Sequence, residues 1–319
     1  MGGRRTGIVI LVLSVACATW GEAGPRFGQA FRSTDAQGNV IYTDRSGNAD
    51  NLRVPVEGAV NTALVDELFR ASGVDRRLPG IAAQVQGEFQ RHSGLAATPE
   101  RQMLSEIVAR QFSPGTLYPM VRDEFLRNTS GGRARDALAW YGSPFGRRVV
   151  WLETQAGTPE SLREFRAYAA SIGSNWPASR VVLVRRLDDA SRATETGLDS
   201  LVVMLRGFAV AVDAARPPER RMDRSQIEGQ LKQARERAFG PTRQGALVAM
   251  LFTYRDLTEP DLERYARFME SEAGSWYMRT LNRALVHSVG VIAERTGTEI
   301  VRALPAERWQ GQRATGAAR

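Results

Sequence analysis

One short pattern occurs twice and limits what this chain can become. Trp140-Tyr141-Gly142-Ser143-Pro144-Phe145-Gly146 and Phe268-Met269-Glu270-Ser271-Glu272-Ala273-Gly274 both run from an apolar helix end through Ser-x-x-Gly into a second helical stretch. A serine at a helix start accepts a bond from a free backbone N–H of the first turn. Pro144 then falls at the first helical position, where its missing N–H costs nothing. Gly146 and Gly274 sit inside the new helix, where glycine is unfavourable unless something must approach closely. Ser143, Pro144, Gly146, Ser271 and Gly274 are therefore read as a helix–helix corner used twice. They are architecture and carry no group that does chemistry.

Helical signals fill the chain around these corners. Thr98-Pro99-Glu100, Thr158-Pro159-Glu160 and Thr258-Glu259-Pro260-Asp261 each place a hydroxyl at a cap with proline and acid in the first turn. Leu162, Phe165, Ala169 and Ile172 share one helical face, and so do Leu198, Leu201, Val202, Leu205, Phe208, Ala209 and Val212. Val203, Met204 and Val210 make the second of these helices apolar almost all round, which predicts a central position; Arg206 argues against a membrane span. No alternating strand pattern occurs from Asn61 onward.

The body repeats at a larger scale. Val65, Leu68, Ala71 and Ser72 recur as Val184, Leu187, Ala190 and Ser191, an offset of 119, whereas the two corners are 128 apart. One insertion of nine residues at Arg216–Arg224, around Pro217 and Pro218, reconciles the two. The expected fold is mainly α, a helical bundle of two related halves at 59–176 and 177–303. Two copies are too few for a solenoid, so a compact duplicated bundle is expected.

Residues 1–18 read as a signal peptide. Arg4 and Arg5 precede an apolar run from Gly7 to Ala16, and Ala16-Cys17-Ala18 fits small-x-small cleavage. The run is too short for a comfortable span. Losing the leader lowers the formal charge from +8 to +6. Cys17 also admits lipidation, with Ala16 in place before it and Ser14 departing from the usual leucine. The expected address is export to the periplasm, with outer-membrane lipoprotein as the alternative.

Residues 19–58 read as a small N-terminal β-hairpin strap and linker. Two β-prone runs flank Asp35-Ala36-Gln37-Gly38, where Asp bonds back to the turn and Gly takes positive φ. Ser46 to Glu57 gathers Ser, Gly, Asn, Asp and Pro. Residues 304–319 have no apolar stripe after Trp309 and read as a disordered tail.

Composition closes most catalytic routes. One cysteine and two histidines, His92 and His287, stand outside any metal-ligand spacing, so neither metal nor cofactor is expected. One histidine is expected exposed on a helix and one packed on a helix flank. Arginine supplies nearly all the positive charge and is interspersed with acids; even Arg216, Arg220, Arg221 and Arg224 are interrupted by Glu219 and Asp223, which argues against nucleic acid. No G-x-S-x-G, phosphate loop or nucleotide fingerprint occurs. The acid pairs Asp123-Glu124 and Asp188-Asp189 are adjacent in sequence and do not face each other on a helix. Trp140, Tyr141, Trp151, Trp276 and Tyr277 gather near the corners, either as core between the halves or as the lining of an apolar groove for a peptide or lipid tail.

These residues carry two family resemblances. Leu257-Thr258-Glu259-Pro260-Asp261-Leu262, then Tyr265, Phe268, Ser271 and Gly274, resembles domain of unknown function 2059, with Leu257, Met269 and Asp261 standing for its usual Phe, Tyr and Glu. Phe31, Asp35, Gly38, Tyr42 and Asp44, within Phe27 to Pro55, are similar to domain of unknown function 4124, with Ser33 where that family has Trp. The resemblances imply an exported envelope protein and bring no catalytic residues. The expected function is a non-enzymatic binding or scaffold protein whose partner is an envelope protein, lipid or glycan. The alternative is a cell-wall or lipid hydrolase with carboxylates assembled by the fold.

Overall fold

The computed structural model describes residues 31–34, 40–43, 62–92, 99–172 and 176–304. Residues 1–18, expected to be a signal peptide and holding Cys17, the expected turn at Asp35–Gly38 and linker at Ser46–Glu57, Thr98 and the residues beyond Leu304 lie outside the described residues. Residues 21–59 form a unit of their own. In it the backbones of β1 (Phe31–Thr34) and β2 (Val40–Thr43) pair antiparallel, Phe31 opposite Thr43.

The body is helical. In order it comprises α1 (Thr62–Ala71), α2 (Val74–His92), α3 (Pro99–Gln111), α4 (Pro114–Arg127), α5 (Gly131–Gly142), α6 (Pro144–Gln155) and α7 (Pro159–Ile172). Next come α8 (Ala178–Ser191), α9 (Ala193–Ala214), α10 (Arg224–Thr253), α11 (Glu259–Glu270) and α12 (Glu272–Ala303). Proline stands at the start of α3, α4, α6 and α7, where it costs no hydrogen bond.

The two halves use the same order of parts. α1 turns into α2 through Gly73 at φ 74°, and α8 turns into α9 through Arg192 at φ 54°. α1 packs on α2, α4 and α5; α8 packs on α9, α10 and α11. The residue separation between counterparts is 119 at the starts of α2 and α9, 122 at their ends, 125 at the starts of α3 and α10, and 128 at the starts of α5 and α11. The nine extra residues are therefore gained in three steps: a longer helix, a longer connector and a later return. They are not one insertion at Arg216–Arg224. Arg216–Arg224 holds only the connector's share, where Arg221 donates to the carbonyls of Ala214 and Arg216.

Both corners close in the same way. The Ser143 hydroxyl accepts from Gly146 N at 3.0 Å, and the Ser271 hydroxyl from Gly274 N at 3.2 Å. A Cβ on Gly146 would lie 2.2 Å from the Trp140 carbonyl oxygen; one on Gly274 would lie 2.0 Å from that of Phe268. The outgoing helix passes directly over the last turn of the incoming one, and only hydrogen fits between them.

The corners also meet each other. The rings of Trp140 and Phe268 stack at 3.8 Å with planes 4° apart. These residues are 128 apart, as are Ser143 and Ser271. Contact between equivalent positions of the two corners is what a local pseudo-two-fold between the rings gives. The flanking pairs agree: Arg133 near the start of α5 bonds Glu272 of α12, and Asp261 near the start of α11 pairs with Arg148 of α6.

The expected central helix gives way to another. α9 holds Arg206 in a pair with Glu228 and leaves Val210 48% exposed. α12 is the central element, packing most extensively on α9 and reaching α3, α4 and α5 of the first half. Its buried face runs through Tyr277, Leu281, Ala284, Ser288, Ile292 and Thr296.

Candidate functional site

The polar cluster at the contact of the halves is built from residues far apart in sequence. α6 carries Val149, fully buried, and one turn later Glu153 on the same face. Its carboxylate is left with 11% exposure. Arg77 of α2 donates to Glu153 Oε2 at 2.9 Å and to the Ser72 carbonyl at 3.0 Å. Tyr254, at the end of α10, and Tyr265 of α11 both donate to Glu153 Oε1, at 2.8 and 2.6 Å. Tyr277 of α12 donates to the Ser72 hydroxyl at 2.6 Å, which points on to the Phe69 carbonyl at 3.4 Å. Ser72, Arg77 and Glu153 come from the first half and the three tyrosines from the second.

Electrostatics lock these groups in one protonation state. Burial pushes the Tyr141 and Tyr265 phenols well above the usual phenol range, with nearby Glu153 adding to the effect. Tyr277 is pushed up to about 12, by burial first, against the pull of Arg77. Burial works against the charge of Arg77, but Glu153 and the surrounding tyrosines hold its guanidinium above its ordinary range. The phenols are thus permanent donors at neutral pH, and each carboxylate oxygen of Glu153 is already bonded. Such an arrangement clamps two surfaces together. A general base or nucleophile needs a lone pair turned toward a substrate, and Glu153 has one oxygen turned toward Arg77 and the other toward Tyr254 and Tyr265.

The corner aromatics do not line one groove. Tyr141, Trp276 and Tyr277 are 2%, 6% and 0% exposed. Their rings interlock with Phe125, Phe268 and each other at 5.2–5.9 Å, edge to face. Trp140, partly buried, fills the axis between the halves. Trp151, by contrast, is 60% exposed on the outer side of α6 and joins none of them. The core reading holds for four of the five, and the fifth is a surface residue.

Other sequence candidates separate in space. Asp123 pairs with Arg122, while Glu124 holds Arg127 and the Asn128 side chain. Asp188, 1% exposed, accepts from the Thr194 N–H and hydroxyl at the start of α9. His287 is 51% exposed rather than packed, with Nε2 3.9 Å from Glu124; the side chain of His92 lies outside the described residues. Among the described residues no group of three or more His, Cys, Asp or Glu is placed to hold a metal, and no helix is long and apolar enough to cross a membrane.

Sequence reasoning misses the acid–arginine–tyrosine cluster, because its members are as far as 205 residues apart, from Ser72 to Tyr277, and obey no spacing rule. One signal exists: an acid four residues after Val149, on the apolar stripe of α6, asks for a buried partner. No protein-family model, no curated protein and no solved structure matches this chain.

Proposed function

We propose that the chain is an exported, non-enzymatic binding or scaffold protein of a bacterial envelope, with an N-terminal hairpin strap ahead of the helical body. One observation carries the non-enzymatic part. The ionic cluster around Glu153 satisfies both carboxylate oxygens internally, with Arg77 of its own half and two tyrosines of the other, as a structural clamp does. Support for export comes from the leader and from the resemblances to domains of unknown function 2059 and 4124. A helical body with partly exposed apolar residues such as Trp151 and Val182 suits contact with an envelope protein, lipid or glycan.

The test is to cross-link intact cells mildly, purify the tagged chain and identify what accompanies it. A specific envelope component supports the reading. Turnover of cell-wall or lipid substrates by the purified chain, abolished by a substitution at an acid, overturns it. The mass of the mature chain tests the address: a start after Ala18 indicates free export, and an acylated Cys17 indicates a lipoprotein.

A further inference from the structure

The helices that build the two halves carry opposite charges at matching places. α1 holds Asp66, Glu67 and Arg70; 119 residues later α8 holds Arg185, Arg186 and Asp189. α5 holds Arg133, Arg135 and Asp136; 128 residues later α11 holds Asp261, Glu263 and Arg264. Every charge of α1 and of α5 meets its reverse in the other half. The apolar positions of α1 do not reverse: Val65 and Leu68 are buried in the first half as Val184 and Leu187 are in the second.

α1 packs on α5, and α8 packs on α11, so the reversal runs through both members of each pair. In the second half its effect is direct. Arg186 of α8 donates to Glu263 Oε2 and to Glu270 Oε2 of α11, both at 2.7 Å. These bonds hold the Glu270 carboxyl below the usual carboxylate range. With α1 on α11, Glu67 would stand in the place of Arg186, against two carboxylates. With α8 on α5, Arg186 would stand in the place of Glu67, on the helix that carries Arg135. Arg186, Glu263 and Glu270 are each more than a third exposed or close to it, so their pairs contribute little to stability. Their weight falls on the choice of partner, because like charges reject a helix that apolar contact would accept.

We propose that these opposed charges decide which helices pair. α1 rejects α11 and α8 rejects α5, so the halves assemble without exchanging helices within one chain or between two copies of it. Such exchange is the characteristic misassembly of chains built from like units. The inference goes beyond the proposed function and holds in any compartment.

Refolding of the full chain by dilution from denaturant, over a range of protein concentrations, tests it. The parent should return to the size profile it had before unfolding. Glu67→Arg/Arg135→Glu gives the first half the charges of the second and keeps its own two helices opposite in sign; both side chains are exposed. The fraction of this variant that regains its starting profile should fall at least about fivefold at the highest concentration, with exchanged dimers in its place. Adding Arg186→Glu, Glu263→Arg and Glu270→Arg restores the opposition between the halves with every sign reversed, and should restore the yield. Refolding of the first variant as complete as the parent's overturns the proposal, and so does a parent that itself yields exchanged dimers. A second variant that refolds no better than the first also overturns it, since the charges then act within each half and not between them.

Discussion

After Ser143 the first half runs through α6, breaks at Gly157 and Thr158, and restarts as α7; after Ser271 the second half continues as one helix of 32 residues. The corners are alike, and the helices leaving them differ because of side-chain size at a few positions. A Cβ on Gly207 of α9 would lie 2.7 Å from the backbone nitrogen of Glu294, and one on Gly297 would lie 2.9 Å from the Ala211 Cβ. The backbones of α9 and α12 touch there. At the corresponding places the first half has Glu88 for Gly207, Leu162 for Gly290, Phe165 for Ala293 and Ala169 for Gly297. The larger side chains of Leu162 and Phe165 leave no room for the same backbone approach by α7, and Pro159 starts a new helix where α12 runs on. Two like corners can thus lead into unlike helices, one the spine of the body and the other a short helix that breaks and restarts.

The shared joint should be the costliest place to interfere. Gly274→Ala and Gly146→Ala drive a methyl into a backbone carbonyl that cannot rotate away. Each should lose roughly 3 kcal/mol or more of unfolding free energy, read from the denaturant midpoint. Comparable losses in the two variants sharpen the comparison, since the corners are then equivalent energetically as well as geometrically. A tolerated Gly146→Ala beside a damaging Gly274→Ala breaks it, and would mean that the first corner can relax because α6 is short.

Next comes the clamp, where the halves differ outright: the position 128 after Glu153 is Leu281, a buried apolar residue. Glu153→Ala leaves two tyrosine hydroxyls without their acceptor and Arg77 without its counter-ion. The expected loss is about 2–3 kcal/mol, at the lower end because Arg77 keeps 37% exposure and can turn to water. Alkali tests the same cluster. Tyr277 titrates near 10 in the unfolded chain and near 12 in the folded one, so between these values the unfolded chain has lost a proton that the folded chain retains. Its contribution is complete below pH 10 and is lost as pH rises toward 12, by roughly 2–3 kcal/mol. Tyr141 and Tyr265 shift in the same direction. Tyr277→Phe should flatten part of the fall in a stability profile recorded from pH 8 to 12.

A smaller effect belongs to the caps. Ser143→Ala and Ser271→Ala each remove one bond to a first-turn N–H and should cost about 1 kcal/mol. Ser271 begins the long central helix, so its loss should slow refolding more if α12 forms early; matched stopped-flow traces of the two variants compare them directly.

How far the sequence can be read depends on the range of the interaction. The corners are legible because a cap, a proline and a glycine act within seven residues. The likeness of Val65, Leu68 and Ser72 to Val184, Leu187 and Ser191 is legible, and both stretches are helices followed by a positive-φ turn. The distribution of the nine extra residues is not legible, since helix lengths shift by a turn without leaving a breaker in the sequence. The Glu153 clamp is invisible because burial against another half has no local signature. The exchange of α9 for α12 as spine has a related cause. α9 has the more apolar sequence, but close packing rewards small residues, and α12 carries Gly290, Ala293 and Gly297 where another backbone arrives.

The smallest expected effect concerns the residue that sequence proximity places wrongly. Trp151 and Trp276 both lie just beyond a corner, the first eight residues after Ser143 and the second five after Ser271. On an outgoing helix those positions differ by three residues, nearly a full turn, and should face similar directions. Their environments nevertheless differ, with 60% exposure against 6%, because α4 packs on α12 and presents Phe125 to Trp276, whereas no ring of the described residues lies against Trp151. Trp151→Gln should therefore change stability by less than about 0.5 kcal/mol, whereas Trp276→Gln should cost about 3 kcal/mol. Trp151 fluorescence should also be more readily quenched by iodide than that of Trp276. A large loss from Trp151→Gln, with its emission shielded, would mean that another surface covers this side of α6 and would make Trp151 the first residue to trace into a complex.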